Sequence, residues 1–421
     1  MIRKFTNNNI YNLLNFFLIF GIFSLSIFLP INTEITRKIF TFLFFLLIFT
    51  LDYKKIYITY KDDKLLKAIL AFFIFSILSY FWTENVDELK RIIRNFFRYW
   101  IVPTIVLISI VEKKHIKYLI TAFLSGMIIN GILSLLMYFY NLKEIFSFKF
   151  SPYFLVPYQS SHMEYSVYVA FTAIVFFYYF IINKEIKIKI LFLFISSSFI
   201  ILLFMLNGRT GQIAFIFSSI ILIILYTKNI KKIAFSIFSL ILLVFLAYSS
   251  SINFKNRVDT AISDVKKIHT QNDFSTSAGV RISAYYKIPE IINSVNIIYG
   301  TGWGNLENTG RIINHKLFGG EVQISELGRI HQSFLSIFIA VGLIGLFVFL
   351  YIFYELLKAQ IENENLDFIR HSFLLCLFIT LFTMDFYNQR EILLLLSFFS
   401  SLIIITKENE KNTEIIKIYK M

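Results

Sequence analysis

The sequence has few charged residues and only one cysteine. Charged residues make up 16% of its 421 positions, against about 25% in an ordinary globular chain. Apolar and aromatic residues account for 57%, including 51 Phe and 24 Tyr, which is more apolar surface than a water-soluble core can hide. The composition therefore excludes a soluble enzyme, a disordered tail protein and a disulfide scaffold, and it indicates a polytopic membrane protein.

The single cysteine, Cys376, lies inside an apolar run. An intramolecular disulfide is therefore impossible, and any exported loop must fold without one. The N-terminal run 11–30, preceded by Arg3 and Lys4, is about 20 residues long and lacks the small-x-small cleavage pattern of a signal peptide. We expect this run to stay in the protein as its first membrane helix.

Apolar runs long enough to span a membrane recur along the whole chain. Because the runs lack the alternating pattern of an outer-membrane barrel, they indicate helices. We therefore predict an all-α polytopic membrane protein with about 12 transmembrane helices, forming a single integral membrane domain over residues 1–421. The predicted spans are 11–30, 35–52, 65–82, 95–111, 116–140, 163–183, 188–206, 212–226, 232–250, 333–356, 367–385 and 391–406.

Basic residues outnumber acidic ones without forming a basic domain. The formal net charge is +14, but the basic residues are spread in short clusters between apolar runs, which argues against a nucleic-acid partner. With twelve spans, the side that holds the N-terminus carries 22 Lys and Arg residues, and the short loops of the opposite side carry nine. Because cytoplasmic loops are enriched in Lys and Arg, both termini are predicted to be cytoplasmic.

One polar segment, residues 251–332, is too long and too polar to span. It lies between the ninth and tenth predicted helices on the outer face, where chemistry on an exported substrate is expected. It holds the turn-rich stretch Gly300-Thr-Gly-Trp-Gly-Asn305. Apolar residues at helical spacing also predict an amphipathic helix over Arg281–Val295.

Arg209 is the first candidate site residue on the outer face. It lies in the five-residue segment Asn207-Gly-Arg-Thr-Gly211 between two predicted helices, which pins its guanidinium at the membrane surface. Gly208 and Gly211 are expected to let the backbone turn and a ligand approach closely. A snorkelling anchor is the alternative, but anchoring arginines favour the cytoplasmic side, so ligand binding is the favoured interpretation.

Arg281 and His331 lie within the large loop and at its end. Arg281 opens the predicted amphipathic helix and, taken alone, would be an ordinary solvated arginine. His331 stands at the start of the tenth predicted helix. On a continuous helix Gly342 would lie about 20° to one side of His331 and Gly345 about 40° to the other, which would allow close packing of another helix on that face. Packing without chemistry is the structural alternative.

These residues together resemble the bacterial O-antigen ligase superfamily, which includes O-antigen ligases, Wzy-type polymerases and related oligosaccharyltransferases. The motif His331-Gln332-x9-Gly342-x-x-Gly345 is similar to the ligase pattern of His, a small polar residue, nine residues and Gly-x-x-Gly. Gln332 is a mild departure from that pattern, and Ile213 replaces the Leu of the family's Arg-x3-Leu element. The stretch Gly300-Thr-Gly-Trp-Gly304 is similar to the Gly-rich stretch that follows the family's loop arginine.

The resemblance implies glycan transfer from undecaprenyl pyrophosphate to lipid A–core, a step of lipopolysaccharide biosynthesis at the periplasmic face of the bacterial inner membrane. Segment 251–332 would then be a large periplasmic loop. Arg209 and Arg281 would bind the donor's pyrophosphate and stabilise it as it leaves. His331 would be the general base for the acceptor hydroxyl, and direct displacement would invert the anomeric configuration. The implied partners are the donor, the acceptor and membrane lipids, with no cofactor.

Three further residues are weaker candidates. Arg94 and Arg98 begin the fourth predicted helix from the outer face and could also bind phosphate. Asp385, at the outer end of the eleventh predicted helix, could contribute to substrate binding or orient His331. It could equally cap a helix or face water.

Metal dependence is not predicted. Lipid-phosphate glycosyltransferases that use a divalent ion usually show acidic pairs on an outer loop. The first outer loop of this chain has only Glu34, and the pair Asp62-Asp63 falls on the predicted cytoplasmic side.

Several alternatives remain at the level of the sequence. A ligase and a polymerase share the donor and differ in the acceptor, which is lipid A–core for a ligase and a second lipid-linked glycan for a polymerase. The His-x10-Gly-x-x-Gly spacing favours the ligase. A protein-acceptor oligosaccharyltransferase is a lesser alternative. A lipid-linked oligosaccharide flippase would generally show mid-membrane charges and repeated halves. The predicted helix interiors are almost free of charge, apart from Arg98 near one end, and no repeat is visible.

Overall fold

The computed structural model describes residues 8–50, 53–140, 144–145, 148–149, 156, 161–318 and 330–420. Arg3 and Lys4, which precede the predicted first span, and residues 319–329 of the large loop lie outside these ranges. The described chain is predominantly helical, with one short antiparallel pairing of β1 (Glu144–Ile145) and β2 (Phe148–Lys149). The α-helices are α1 (Asn8–Phe28), α2 (Thr33–Thr50), α3 (Tyr53–Asp62), α4 (Lys64–Leu78), α5 (Val86–Phe96), α6 (Val102–Ile110), α7 (Lys113–Tyr140), α8 (His162–Ile182), α9 (Ile186–Met205), α10 (Arg209–Tyr226), α11 (Ile230–Ser250), α12 (Ile252–Gln271), α13 (Ser277–Tyr286), α14 (Ile288–Ser294), α15 (Leu306–Phe318), α16 (Ser333–Lys358), α17 (Glu364–Leu381) and α18 (Arg390–Lys420).

Eight helical segments of the described chain are long and apolar enough to cross a membrane, which supports a multi-pass membrane protein. The other four predicted spans fall in α1, α2, α17 and α18. Helix α17, for example, is 18 residues long but contains the charged residues Glu364, Asp367 and Arg370, so it is not among the eight. The predicted count of twelve is therefore not confirmed. The eight segments are Lys64–Trp82, Val86–Ile110, Lys113–Tyr140, His162–Ile182, Ile186–Met205, Arg209–Tyr226, Ile230–Ser250 and Ser333–Lys358.

Several of these helices begin at a side chain that accepts a hydrogen bond from the first turn. Asp63 accepts the Leu66 N–H before α4, and Asn85 accepts the Glu88 N–H before α5. Such caps satisfy backbone donors that have no partner within the helix. Asp63, one of the acidic pair considered above, therefore has a structural role.

A cluster of buried aromatic rings joins the large loop to the membrane helices. Phe96 of α5 stacks on Phe386 with ring centroids 5.6 Å apart, and Phe386 lies 4.9 Å from Phe349 of α16. Trp303, from the turn-rich stretch of the loop, is fully buried and lies edge-on to Phe96 at 5.4 Å. These contacts anchor the loop at the segment that carries Asp385.

Helix α16 is interrupted at Gly342, where φ is +64° and ψ is −164°. A segment of the large loop, residues 297–302, occupies the break. The N–H groups of Thr301 and Gly302 donate to the carbonyls of Ile339 and Ala340. On the other side of the break, the N–H groups of residues 343 and 344 donate to the carbonyls of residues 297 and 298. The expectation of a continuous helix is therefore wrong, and the backbone groups freed by the break are satisfied by the loop.

The predicted amphipathic helix Arg281–Val295 is in fact two helices, α13 and α14. Helix α13 begins at Ser277, four residues before Arg281, after Thr276 has accepted the Gly279 N–H. Pro289 lies in the first turn of α14, and a proline cannot continue a preceding helix because it lacks the N–H donor. Lys287 forms the joint between the two helices and is fully buried.

Candidate active site

The two glycines beside Arg209 bring α10 against α8. The Gly211 N–H donates to the Ser166 hydroxyl at 2.9 Å. A Cβ atom at Gly208 would lie 2.4 Å from Ser166 Oγ, and one at Gly211 would lie 2.2 Å from the Ser166 carbonyl. The space at both glycines is therefore filled by α8. The expectation that they admit a ligand is wrong, and what they do is hold Arg209 at a fixed place beside α8.

The guanidinium of Arg209 is half-buried and is only partly engaged by the protein. Its Nη1 lies 3.9 Å from Asp264 Oδ2. Its Nε and Nη2 atoms are buried and have no hydrogen-bond partner among the described residues. Nε and Nη2 form one edge of the guanidinium plane, the edge that binds phosphate or carboxylate oxygens in pairs.

Arg281 projects from α13 toward the same place. Its Nε donates to the Thr383 carbonyl at 3.3 Å, and its Nη2 lies 3.8 Å from Met163 Sδ at the start of α8. Burial lowers the pKa of the Arg281 guanidinium, the nearby charge of Arg209 lowers this pKa further, and Asp385 opposes both effects. Two arginines that repel each other in a partly buried setting make a favourable place for an anion.

His331 stands beside a buried carboxylate. Its Nδ1 lies 3.6 Å from Asp385 Oδ2, and the side chain of Asp385 is 4% exposed. The Asp385 segment is tied to the start of α16, because the Ser333 hydroxyl accepts the Phe386 N–H at 3.1 Å. The Ser336 hydroxyl contacts Asp385 Oδ1 at 3.4 Å.

His331 precedes α16 rather than lying on it. The side chain of Gln332 caps the helix by accepting the Leu335 N–H. The prediction that His331 shares a helical face with Gly342 and Gly345 is therefore wrong, since the helix begins after the histidine and is interrupted at Gly342. Gln332, the departure from the ligase pattern, serves as a capping residue.

Four of the predicted site residues converge. Arg209 and Arg281 interact electrostatically, Arg281 interacts with Asp385, and Asp385 contacts His331. Arg94 and Arg98 are exposed on α5 and in the turn after it. No contact joins these two arginines to the cluster within the part of the chain that the structure describes.

Two residues of α12 belong to the cluster and are missed by the sequence reasoning. Asp264 contacts Arg209, and the Nε of Arg257 donates to Asn207 Oδ1 at 3.4 Å, close enough for its charge to act on Arg209. Their seven-residue spacing puts both on one helical face. The sequence signal for these residues was a pair of opposite charges on one face of α12. Such a pair is indistinguishable in sequence from a solvent-exposed ion pair on an amphipathic helix.

No group of three or more His, Cys, Asp or Glu residues is placed to hold a metal ion in the described ranges. Metal independence stays a prediction.

The cluster lies largely within a segment that matches a known protein family. Residues 191–350 match the family model described as O-Antigen ligase. The matched segment contains Arg209, Asp264, Arg281 and His331, whereas Asp385 lies beyond it. No curated protein matches the chain. The family match confirms the resemblance of this chain to the O-antigen ligase superfamily.

Proposed function

We propose that the protein transfers a glycan from undecaprenyl pyrophosphate to lipid A–core at the periplasmic face of the inner membrane. The O-antigen ligase family supports ligase- or polymerase-type activity, the work of a glycosyltransferase-like enzyme. The observation that carries the proposal is the buried edge of Arg209. Its Nε and Nη2 atoms have no hydrogen-bond partner among the described residues, and the charge of Arg209 acts on Arg281.

The donor's pyrophosphate fits that edge. Two arginines would bind its oxygens and stabilise the negative charge that grows as the glycan leaves. Their charge does not depend on pH in the physiological range. Because two glycines pack the start of α10 against α8, the backbone of Arg209 has a fixed place before the donor binds, which contributes to the preorganisation that electrostatic catalysis needs.

His331 would take the acceptor's proton. A carboxylate beside Nδ1 favours the tautomer with hydrogen on Nδ1, so Nε2 carries the lone pair. In the proposed step the acceptor oxygen forms a bond to the anomeric carbon and its proton passes to Nε2. The bond from that carbon to the phosphate oxygen breaks, and undecaprenyl pyrophosphate leaves with the electron pair. This single displacement inverts the anomeric configuration and uses no metal.

A Wzy-type polymerase is the alternative, because the same groups would serve a second lipid-linked glycan as acceptor. The test is a strain that lacks the gene, analysed by lipopolysaccharide gel and by lipid-linked glycan analysis. Polymerised glycan left on its lipid carrier, with bare core on the gel, is the result expected for a ligase. A core that carries a single repeat unit would indicate the polymerase.

The same strain tests the general base. Rescue with wild type should restore normal lipopolysaccharide, and rescue with His331→Ala should not. His315→Ala is the matched control, since His315 is an exposed histidine of the same loop. Normal lipopolysaccharide with His331→Ala would refute the role of His331.

A further inference from the structure

Asp264 is a buried carboxylate to which the proposed reaction assigns no role. It lies two-thirds of the way along α12, and its side chain is only 6% exposed. A carboxylate in an amphipathic helix ordinarily faces water, because burial of a charge is costly unless the charge is paired or hydrogen-bonded. Its partners should therefore explain why it is buried.

One oxygen of Asp264 connects the two helices that carry the arginines. Oδ2 lies 3.9 Å from Arg209 Nη1 at the start of α10. The same Oδ2 accepts the Ala278 N–H at 3.2 Å in the first turn of α13. Arg281 follows Ala278 by three residues on that helix, so this contact links the helix of Arg281 to Arg209.

The contact also selects the edge that Arg209 presents. With Nη1 turned toward Asp264, the Nε and Nη2 edge is the part of the guanidinium that has no hydrogen-bond partner in the part of the chain that the structure describes. A free arginine side chain would lose rotamer entropy each time it bound an anion, whereas one held at Nη1 is already oriented. Affinity alone cannot explain Asp264, because a carboxylate beside an anion site repels the anion.

We propose that Asp264 is a positioning residue that orients the Nε–Nη2 edge of Arg209 and sets its spacing from Arg281 for pyrophosphate. This inference rests on the proposed function. It assigns to α12 a part in the reaction that neither the motif nor the family match indicates.

The test is a double-mutant cycle of Asp264→Asn and Arg209→Ala in the full-length protein, with glycan transfer from the lipid-linked donor as readout. Asparagine keeps the size and an acceptor for Ala278, so the fold should survive. We expect D264N to lower kcat about 10-fold or more, since small misplacements of a catalytic group are costly. In the R209A background D264N should change kcat by less than about twofold, because Asp264 acts through Arg209.

Inhibition by inorganic pyrophosphate separates positioning from simple damage. D264N should bind pyrophosphate several-fold more tightly than wild type, because the loss of a repelling charge outweighs the rotamer entropy that the unheld guanidinium then loses on binding. A partly unfolded protein would lose kcat without any change in this inhibition constant. The charge-keeping D264E is the second variant, expected to lose kcat while its inhibition by pyrophosphate stays near that of wild type.

Asp259→Asn is the matched control, since Asp259 is an exposed carboxylate of the same helix. Two results would overturn the role of Asp264 and leave the proposed function standing. One is a wild-type kcat in D264N, and the other is a kcat loss from D264N that is as large in the R209A background as in the wild type. A wild-type protein that neither transfers glycan nor binds pyrophosphate would overturn both.

Discussion

At the scale of single residues, the partner of the histidine decides which ring nitrogen is basic. Asp385 lies 3.6 Å from Nδ1 and is buried, so it can hold the imidazole in one tautomer and stabilise the imidazolium that forms. The sequence suggested Asp385 for substrate binding or for orienting the histidine. Its place beside His331 supports the second role.

Asp385→Asn is expected to lower kcat about 100-fold or more while the donor KM changes little, because an amide favours the wrong tautomer. Steady-state glycan transfer by the purified protein measures both constants. Asp273→Asn, at an exposed turn after α12, is the control. A D385N protein with wild-type kcat would exclude a role for Asp385 in orienting His331.

Arg209→Lys is expected to lower kcat/KM about 10- to 100-fold, because lysine keeps the charge and loses the paired donors of the edge. Inhibition by inorganic pyrophosphate should weaken in parallel. Arg311→Lys, an exposed arginine of the same loop paired with Glu307, should match wild type. Equal activity of R209K and wild type would mean that charge alone suffices at this position.

At the scale of elements, the interrupted helix α16 depends on two glycines from different parts of the chain. A Cβ at Gly342 would lie 2.3 Å from the Ile298 carbonyl oxygen, and one at Gly300 would lie 2.5 Å from the Ala340 carbonyl carbon. Both glycines have positive φ. Gly342 of the Gly-x-x-Gly motif and Gly300 of the loop thus allow the close approach of the loop to the break.

Gly342→Ala should lower the free energy of unfolding by about 1–3 kcal/mol from backbone strain alone, with a further loss from the clash. A lower unfolding temperature in detergent would show it. Gly131→Ala is the control, because its Cβ would meet side chains and no backbone, with Phe199 at 3.1 Å and Leu202 at 3.9 Å. An unchanged unfolding temperature in G342A would contradict the interrupted helix.

The joint between α13 and α14 makes stability depend on pH. Burial lowers the pKa of Lys287 from 10.5 to about 8. Between these values the unfolded chain holds a proton that the folded chain has released, so stability should rise as pH increases from 8 to 10.5. Lys287→Met should abolish this rise in unfolding temperature, whereas Lys266→Met, an exposed lysine of α12, should keep it. If the unfolding temperature rose with pH equally in K287M and wild type, the assignment of the pH dependence to buried Lys287 would be contradicted.

At the scale of the whole molecule, one helix shows how the chain relies on its surroundings. Helix α11 has no buried residue in the described chain, although it is among the apolar segments long enough to span. Its surface must be covered by lipid or by another protein, because so much apolar surface is unfavourable in water.

The orientation can be tested with introduced cysteines. Cys376 is 1% exposed, so the wild type should give little background with a membrane-impermeant maleimide. His315→Cys in the loop should be labelled in cells with an intact inner membrane, and Lys184→Cys, between α8 and α9, only after that membrane is opened. The reverse pattern would place the site and both termini on the opposite sides.

Much of the architecture could be read from local pattern. Apolar runs of helical length are a one-dimensional property, so the spans over α4 to α11 and α16 were predictable from the composition of each segment. The motif around His331 and Arg209 indicated the family for the same reason. The charged helix α17 shows the limit, since its length suits a span and its composition does not.

Other features depend on residues far apart in the sequence. The break at Gly342 exists because residues 297–302 fill it, and no local pattern records that pairing. Asp264 is buried because Arg209 and Ala278 meet at one oxygen, although its helix looks amphipathic and solvated. Arg94 and Arg98 share the residue type of Arg209 and Arg281 but are exposed elsewhere. Residue type and hydropathy decide that a chain enters a membrane and which chemistry it can carry, whereas burial and pairing, which select the groups that act, arise only when distant segments pack together.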